Sequence, residues 1–346
     1  MVWIEIYSSC RHSKSKIGHI KRRQIVLVLG LPGLRNFFFW NVRQEEDTII
    51  WFMSKKIYYL VGLLIGFIVM VVSQLPSDNA RMVVCDVGQG DAILIIKGRY
   101  QVLIDGGPSR EKILSCLEEQ IPFYDRVIEL IVLTNTDNDH MNGLSAVVER
   151  YQVIQFVTSD GVHSSDALVR LRGVLTTAGI VPVPVEQGDQ IRIGDTNGLQ
   201  FKVLWPPDTN EEYVAVIGEK IDKSKREQIL GASAKRGNLN ERSVVLLLLE
   251  DNKSILLSGD TGYQAESEML KEGVLQDIDI LKVGHHGSKY ASTTKFLEMI
   301  RPELAVISVG SKNTYGHPTP ETLERLSKVG AVVRRTDEEG TIEIEL

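Results

Sequence analysis

The chain has 346 residues, enough for one large domain of about 250 residues and a smaller appendage. Its 43% hydrophobic and 24% charged residues are those of an ordinary globular protein. Residues 1–56 carry a net charge of +6 and the remainder −12, which excludes a general electrostatic attraction of the larger part to a polyanion.

Residues 1–52 form a basic extension whose apolar run is too short to cross a membrane. The basic run Lys21-Arg22-Arg23 precedes the apolar Ile25 to Leu31, which cannot span a bilayer. Because Met53 begins a more conventional amino terminus, we predict that residues 1–52 are a start-site artefact. The alternative is a genuine cytoplasmic tail. Detection of peptides from residues 1–52 in the native protein by mass spectrometry would establish it.

An uncharged apolar segment follows at residues 57–75. As a helix it would be about 28 Å long, close to the hydrocarbon thickness of a bilayer. Lys55 and Lys56 precede it and should stay on the cytoplasmic side. We therefore predict a single-pass anchor and linker over residues 53–80, in the cell membrane of a bacterium, with the following domain on the extracytoplasmic side. The alternative is a cleaved signal peptide.

The chain contains three cysteines, Cys10, Cys85 and Cys116, and no Cys-x-x-Cys pair. This pattern excludes a structural zinc ribbon and argues against a disulfide framework. Cys85 falls in a predicted strand, where we expect a small buried thiol.

From residue 81 onward, predicted strands and helices alternate, which is typical of an α/β domain. The predicted strands are 82–87, 91–97, 100–105, 127–134, 153–157, 181–185, 189–193, 199–205, 243–250, 254–259, 278–283, 304–309, 331–335 and 340–345. The predicted helices are 110–120, one beginning near 142, 165–178, 262–272, 293–300 and 319–328. A polar insertion at 207–241 separates the two halves, and is either a solvated, partly helical segment or a lid over a functional site.

Residues of metal-ligand type follow three of the predicted strands. Asp137, Asp139 and His140 come after the strand 127–134, Asp260 follows 254–259, and His285-His286 follows 278–283. Carboxylate oxygen and imidazole nitrogen are the ligands that hold divalent metals in hydrolytic enzymes. Loops at the ends of strands are where sites of this kind are assembled on a rigid sheet. The pattern therefore predicts one shared site and favours a metal in it.

Several motifs together resemble a metallo-β-lactamase-fold domain of the variety attached to the competence protein ComEC. They are Val87-Gly88-Gln89-Gly90-Asp91, Leu103-Ile104-Asp105-Gly106-Gly107, the Asp-x-Asp-His cluster, Ser258-Gly259-Asp260, Lys282-Val283-Gly284-His285-His286-Gly287-Ser288 and Tyr315-Gly316-His317-Pro318, in the family's order. The resemblance covers residues 81–346. It implies an αββα sandwich with the site along one edge and a metal-activated water for hydrolysis.

The resemblance also implies roles for individual residues. Asp137, Asp139, His140, Asp260 and His286 are the implied metal ligands, and Asp139 also has a catalytic role. His285 then supports the site or faces the substrate. Asp105 resembles the carboxylate that holds the ligand loop by hydrogen bonds, although a simple turn explains it equally well. His317 matches a position from which an imidazole orients the substrate or protonates a leaving group, with an ordinary loop histidine as the alternative.

The sequence departs from the family at the first metal position. Asn135 stands where the family usually has histidine, and Asp137 stands where β-lactamases have another. Because an amide oxygen is a weaker ligand than imidazole, we expect one firm divalent site, for manganese or zinc, and a weak or absent second one. One metal still activates water but lacks the two-metal clamp on attacking and leaving oxygens.

Three function classes follow. The first is a membrane-anchored, metal-dependent phosphodiesterase acting on nucleic acid, which in DNA uptake would need a separate channel protein. The second is a binding or structural module of the same fold that has lost catalysis, favoured by Asn135 and the acidic charge. The third is a hydrolase of small esters, lactones or phosphates.

Overall fold

The computed structural model describes residues 4–10, 23–29, 38–41, 47–73, 79–159, 165–194, 198–207, 214–216 and 240–346. The chain divides into two compact units, Met1–Leu75 and Pro76–Leu346. The predictions for the rest of residues 1–52 and for most of the insertion at 207–241, including the lid, lie outside the described residues.

The first unit contains a small antiparallel sheet and a helix. Its strands, which were not predicted from the sequence, are β1 Ile4–Cys10, β2 Arg23–Leu29 and β3 Phe38–Asn41, in that order. Helix α1 spans Asp47–Ser73. In the part of the chain that the structure describes, no helix has the length and apolarity needed to cross a membrane. The transmembrane helix predicted at residues 57–75 is therefore not supported.

The second unit contains two mixed sheets, the first with seven strands. These are β4 Arg81–Val84, β5 Ile93–Lys97, β6 Tyr100–Ile104, β7 Val127–Leu133, β8 Gln152–Thr158, β9 Val183–Pro184 and β18 Ile342–Glu345. Their order is β18-β4-β5-β6-β7-β8-β9. The strands from β18 to β6 pair antiparallel, and those from β6 to β9 pair parallel.

The second sheet has eight strands. These are β10 Gln190–Ile193, β11 Leu199–Trp205, β12 Val214–Val216, β13 Val245–Glu250, β14 Lys253–Leu257, β15 Ile280–Lys282, β16 Leu304–Ile307 and β17 Val332–Arg335. Their order is β12-β10-β11-β13-β14-β15-β16-β17. The neighbours from β14 to β17 run parallel, so their carboxyl ends meet at one edge.

The longer helices of the second unit cover the outer faces of the two sheets, and the two four-residue helices lie in connections. These helices are α2 Arg110–Gln120, α3 Asn138–Met141, α4 Leu144–Arg150, α5 Asp166–Ala178, α6 Tyr263–Glu272, α7 Thr294–Ile300, α8 Pro320–Lys328 and α9 Thr336–Glu339. The side chains of Ser109 and Ser165 cap the first turns of α2 and α5 by accepting a backbone N–H. Gly179 and Gly273 end α5 and α6 in the left-handed conformation that a side chain would strain.

Three apolar cores define four layers. Alternate residues of β4, such as Met82 and Val84, enter a core shared by the inner faces of the two sheets. Their neighbours Val83 and Cys85 enter a second core under α2, α4 and α5. A third core packs the eight-stranded sheet against α6, α7 and α8. Each fully buried aliphatic side chain contributes roughly 1.5–3 kcal/mol. The predicted α/β class, with two sheets between helical layers, is confirmed.

Cys85 and Cys116 form a disulfide with their Cα atoms 6.0 Å apart. This corrects the expectation of a free thiol at Cys85 and of no disulfide. Cys85 follows β4 and Cys116 lies in α2, and both belong to the core between the seven-stranded sheet and its helices. The pair is 31 residues apart in sequence, and only the packing of helix on sheet brings the two thiols within bonding distance.

Candidate metal centre

The predicted site residues lie at one edge of the sandwich, in loops that follow the carboxyl ends of strands. They follow β6 (Asp105), β7 (Asn135, Asp137, Asp139 and His140), β14 (Asp260), β15 (His285 and His286) and β16 (His317). Parallel pairing of β6 with β7 in one sheet, and of β14 with β15 and β15 with β16 in the other, directs the loops of each sheet to one side. Rigid strands therefore position loops that carry the polar groups.

The loop after β7 turns at once into α3. The Asn135 Oδ1 atom accepts a hydrogen bond from the Asp137 backbone N–H at 2.6 Å, which closes a turn of the kind that asparagine favours. Asp137 then occupies the position before the helix, and its carbonyl accepts the N–H groups of His140 and Met141 at 3.1 Å. Asp139 and His140 are thereby held in one helical turn at the strand end.

Four side chains converge in this loop region. Asp139, His140, Asp260 and His286 each offer one ligand atom, and these atoms all lie within 4.8 Å of one another. The Nε2 atom of His140 is 3.1 Å from Asp260 Oδ2, and Nε2 of His286 is 3.5 Å from both Asp260 Oδ1 and Asp139 Oδ2. Three of the four residues are buried, while the side chain of Asp139 is 33% exposed. The set combines two imidazoles with two carboxylates.

Hydrogen bonds from the far side of each ring fix both imidazoles. His140 Nδ1 lies 2.8 Å from Asp105 Oδ2, and His286 Nδ1 lies 2.8 Å from the carbonyl oxygen of Ser308. An acceptor at Nδ1 places the proton there and leaves Nε2 with a free lone pair directed at the cluster. Asp105 also accepts the backbone N–H and the hydroxyl of Thr134, at 2.8 and 2.6 Å. It thus holds the start of the ligand loop and one ligand ring together.

The cluster contains buried polar atoms that find no hydrogen-bond partner among the residues that the structure describes. These are Nε2 of His140, Nε2 of His286 and Oδ1 of Asp260. Buried polar atoms of native proteins are rarely left unpaired, because each costs free energy. All three belong to the converging set, and all are donors of lone pairs to a cation. The donor set therefore fits a divalent metal, with mixed nitrogen and oxygen ligands.

Without a bound cation, the carboxylates and the imidazoles of the cluster shift each other's pKa values. Burial alone would lower the pKa of both imidazoles, but the carboxylates outweigh it. Asp260 and Asp105 raise the pKa of His140 well above its usual value, and Asp260 and Asp91 raise that of His286 to about 10. Burial would likewise raise the pKa of Asp260, yet His140 and His286 hold it well below its usual range. Without a metal, protons on the two imidazoles therefore balance the ionised Asp260 carboxylate, and a divalent cation would displace these protons from Nε2.

Asp91 and Lys282 lie behind His286 and were not predicted as site residues. Lys282 Nζ is 2.5 Å from Asp91 Oδ2, and Asp91 Oδ1 is 3.3 Å from His286 Nδ1, with both side chains nearly inaccessible. Gly90 allows the backbone before Asp91 to lie against the ligand loop, since a Cβ there would lie 2.1 Å from the carbonyl oxygen of Asp139. One sequence feature pointed to this pair: Lys282 is a charged residue in an otherwise apolar strand.

The remaining predicted residues surround the four-residue set. Asp137 is not part of it and sits at the start of α3. Asn135 directs its Nδ2 toward Asn240 Oδ1 and Ser243 Oγ, both at 3.4 Å. The amide of Asn135 is thus engaged by protein groups at both its oxygen and its nitrogen. Where the family usually has a metal-binding imidazole, this chain has a hydrogen-bonded amide.

His285 and His317 lie on the outer side of the cluster. The Nε2 atom of His285 is 4.0 Å from Asp260 Oδ2, and its ring centroid is 5.7 Å from that of His317. Both His285 and His286 have left-handed backbone conformations, which are uncommon for residues other than glycine and often mark functional sites. Burial, with His285 and His286 nearby, lowers the pKa of His317, so its imidazole is neutral near pH 7.

Comparison with known proteins gives one family and several relatives. The profile of the Metallo-beta-lactamase superfamily matches residues 85–207 and 236–311. Recombination protein 2 of Haemophilus influenzae is 27% identical over 92% of this chain, and ComE operon protein 3 of Bacillus subtilis is 29% identical over 77%. Competence protein ComA of Neisseria gonorrhoeae is 26% identical over 83%. The chain spans 39%, 33% and 35% of the lengths of these relatives, respectively.

Proposed function

The chain belongs to the metallo-β-lactamase superfamily of metal-dependent hydrolases, with competence proteins of the ComEC type among its relatives; from this premise we propose that it hydrolyses phosphodiester bonds in nucleic acid. The observation that carries the proposal is the convergence of Asp139 with three unpaired buried atoms of His140, Asp260 and His286. The names of the relatives, which refer to recombination and competence, support nucleic acid as the substrate.

One divalent cation, manganese or zinc, would be held by Asp139, His140, Asp260 and His286. When bound, such a cation polarises a phosphoryl oxygen and lowers the pKa of water. The hydrogen bonds of Asn135 to protein groups support a single cation, because its amide oxygen is engaged by the Asp137 N–H. The cation would also reduce, at the site itself, the repulsion of a polyanion by a domain with a net charge of −12.

Asp139 and His317 are the residues that we propose to act on the substrate side. The carboxylate of Asp139 is the most exposed member of the cluster and can accept a proton from water. The lowered pKa of His317 favours the orienting role over protonation of a leaving group, because a neutral imidazole donates one hydrogen bond without carrying charge. Among the described residues, His317 Nδ1 is buried and finds no hydrogen-bond partner, so a substrate would have to meet the exposed part of the ring.

A binding module without catalysis is the second candidate. The observation that favours it is the amide at Asn135, which replaces an imidazole of the family's first metal position by a hydrogen-bonded group. In this case the domain would recognise nucleic acid or a protein but leave it intact. A role in DNA uptake, with a separate channel protein as partner, is compatible with either candidate and is a further proposal.

Metal binding and cleavage measured together separate these candidates. The protein is stripped of metal, reloaded separately with Mn²⁺, Zn²⁺ and Mg²⁺, and assayed for bound metal and for cleavage of single- and double-stranded DNA. We expect about one equivalent of Mn²⁺ or Zn²⁺ and metal-dependent cleavage. Metal binding without cleavage of either DNA would contradict the nucleic-acid substrate and direct attention to small phosphoesters, esters and lactones. No bound metal would favour the binding module.

We further propose that the domain lies on the extracytoplasmic side of the cell membrane. The disulfide between Cys85 and Cys116 supports an oxidising compartment, because such bonds are rare in the cytosol. Attachment to the membrane by residues 57–75 rests on the apolar sequence alone.

Thiol labelling in intact cells tests this location. Cells are quenched with acid, and the protein is alkylated with a mass-shifting maleimide before or after reduction. Reduction should add two labels, from Cys85 and Cys116, whatever the state of Cys10. Labelling of both cysteines without reduction would place the domain in a reducing compartment.

A further inference from the structure

Tyr315 is a large aromatic residue held on the surface next to the metal centre. Its side chain is 71% exposed, and its ring stacks on that of His317 with centroids 5.9 Å apart and an angle of 27° between the planes. An isolated exposed ring needs no explanation. This one is different, since one face is supported by an imidazole that itself adjoins the cluster.

A series of rings connects the cluster to this surface. His285 Nε2 lies 4.0 Å from Asp260, the His285 ring contacts the His317 ring at 5.7 Å, and His317 stacks on Tyr315. The two ring-to-ring steps are each shorter than 6 Å. One oligonucleotide could therefore place a phosphodiester at the cluster and a neighbouring base on Tyr315 at the same time.

Hydrogen bonds hold the loop that carries these rings. Asn313 Nδ2 donates to the carbonyl oxygens of Gly310 and His317, both at 2.9 Å, and Asn313 Oδ1 accepts the His317 N–H at 3.1 Å. The Thr319 N–H donates to the carbonyl of Gly287 at 2.9 Å, which ties the loop to the His285-His286 turn. The rings are preorganised, so binding a ligand on them costs little ordering entropy.

Charge decides what kind of contact this surface can supply. The part of the chain after residue 56 has a net charge of −12, so its overall charge does not attract a nucleic-acid backbone. Stacking of a base on an aromatic side chain is the other main source of affinity for single strands, and it needs no positive charge. An exposed aromatic platform beside an acidic metal cluster fits that mode of binding.

We propose that Tyr315, supported by His317, is a stacking platform for an unpaired nucleobase adjacent to the scissile phosphodiester. This inference rests on the proposed function and deepens it, because it assigns single-stranded nucleic acid, or a frayed strand end, as the substrate class. A base within an intact duplex is stacked on its neighbours and cannot occupy the platform without first being unpaired.

The test compares a single-stranded oligodeoxynucleotide with an abasic oligomer of the same length. The measured quantity is the ratio of kcat/KM for the base-bearing substrate to that for the abasic one. Tyr315→Ala should lower this ratio by about tenfold to hundredfold, the range expected for loss of one stacked base, whereas Tyr315→Phe should retain it. An unchanged ratio in Tyr315→Ala would overturn the proposal. This includes the case in which kcat/KM falls equally for both substrates.

Tyr124→Ala is the matched control. Tyr124 is an exposed tyrosine that precedes β7, whereas the site lies beyond the other end of this strand, roughly 20 Å away. The ratio should not change in this variant.

A binding assay keeps the two proposals separable. If the metal-loaded protein cleaves neither oligomer, the proposed hydrolysis fails. The stacking platform is then tested by measuring how tightly the metal-free protein binds each oligomer, by fluorescence anisotropy. The base-bearing oligomer should bind more tightly than the abasic one, and Tyr315→Ala should remove that preference. Equal binding of the two oligomers by the unmodified chain would refute the platform independently of catalysis.

Discussion

Replacing Asp139 with asparagine should lower metal-dependent cleavage by roughly a hundredfold to ten-thousandfold, the range for loss of a positioned acid–base group. Asp139 Oδ2 is 3.5 Å from His286 Nε2, and the side chain is the partly exposed member of a set that is otherwise buried. Asparagine keeps the size of the side chain but is a weaker ligand and cannot accept a proton. The measurement is cleavage of DNA by the metal-loaded variant, with circular dichroism to establish that the fold is intact.

Asp277→Asn is the control for this substitution. Asp277 pairs with Arg301 on the surface at 2.8 Å, with both side chains more than half exposed, and it belongs to no part of the site. The same chemical change should leave cleavage there unaltered. Full activity in Asp139→Asn would show that the catalytic cluster has been assigned to the wrong residues.

Replacing Lys282 with methionine should destabilise the protein by roughly 3–5 kcal/mol, the usual cost of removing one partner of a buried ion pair. Lys282 and Asp91 are 1% and 2% exposed, and their contact distance is 2.5 Å. Methionine fills a similar volume but removes the closest cationic partner of the buried Asp91 carboxylate, which is then left with His286 at 3.3 Å. The measurement is the free energy of unfolding from a urea titration of the metal-free protein.

The double variant Asp91→Asn with Lys282→Met separates charge from packing. Because it removes both charges, it should recover most of the stability that the single variant loses. A double variant as unstable as Lys282→Met alone would mean that the loss comes from packing and not from the unpaired carboxylate.

The same pair gives the protein a pH-dependent contribution to stability. Burial opposes ionisation of Asp91, but Lys282 and His286 outweigh it and lower its pKa from 3.8 to about 2. A carboxyl group whose pKa is depressed in the folded state stabilises the fold above its unfolded pKa. The contribution is therefore complete at neutral pH and is lost as the pH falls from about 4 through about 2.

Much of the second unit was predictable from local sequence. The strand predicted at 127–134 is observed as Val127–Leu133, and the helix predicted at 165–178 as Asp166–Ala178. Periodicity determines such elements because one face of each must be apolar. The short α3 was missed, since its four residues, Asn138–Met141, are too few to show a helical repeat. The three strands of the first unit were also missed.

The residues that converge in the candidate site were predictable from the sequence, but the buried residues that lie behind them were not. Asp139, His140, Asp260 and His286 carry ligand atoms at strand ends, and this pattern is visible in the chain alone. Asp91 and Lys282 are 191 residues apart, and no local rule pairs an aspartate after a glycine with a lysine inside an apolar strand.

The sequence by itself thus determined where most strands and helices of the second unit lie, and which residues carry atoms of metal-ligand type, because both follow from residue type and short-range spacing. Tertiary structure decided which of those atoms meet. It joined Cys85 to Cys116, aimed both Nε2 atoms inward through Asp105 and the Ser308 carbonyl, and left Asp137 outside the converging set. These outcomes depend on how two sheets and their helices pack, which brings together groups too distant in the chain for any local pattern to connect them.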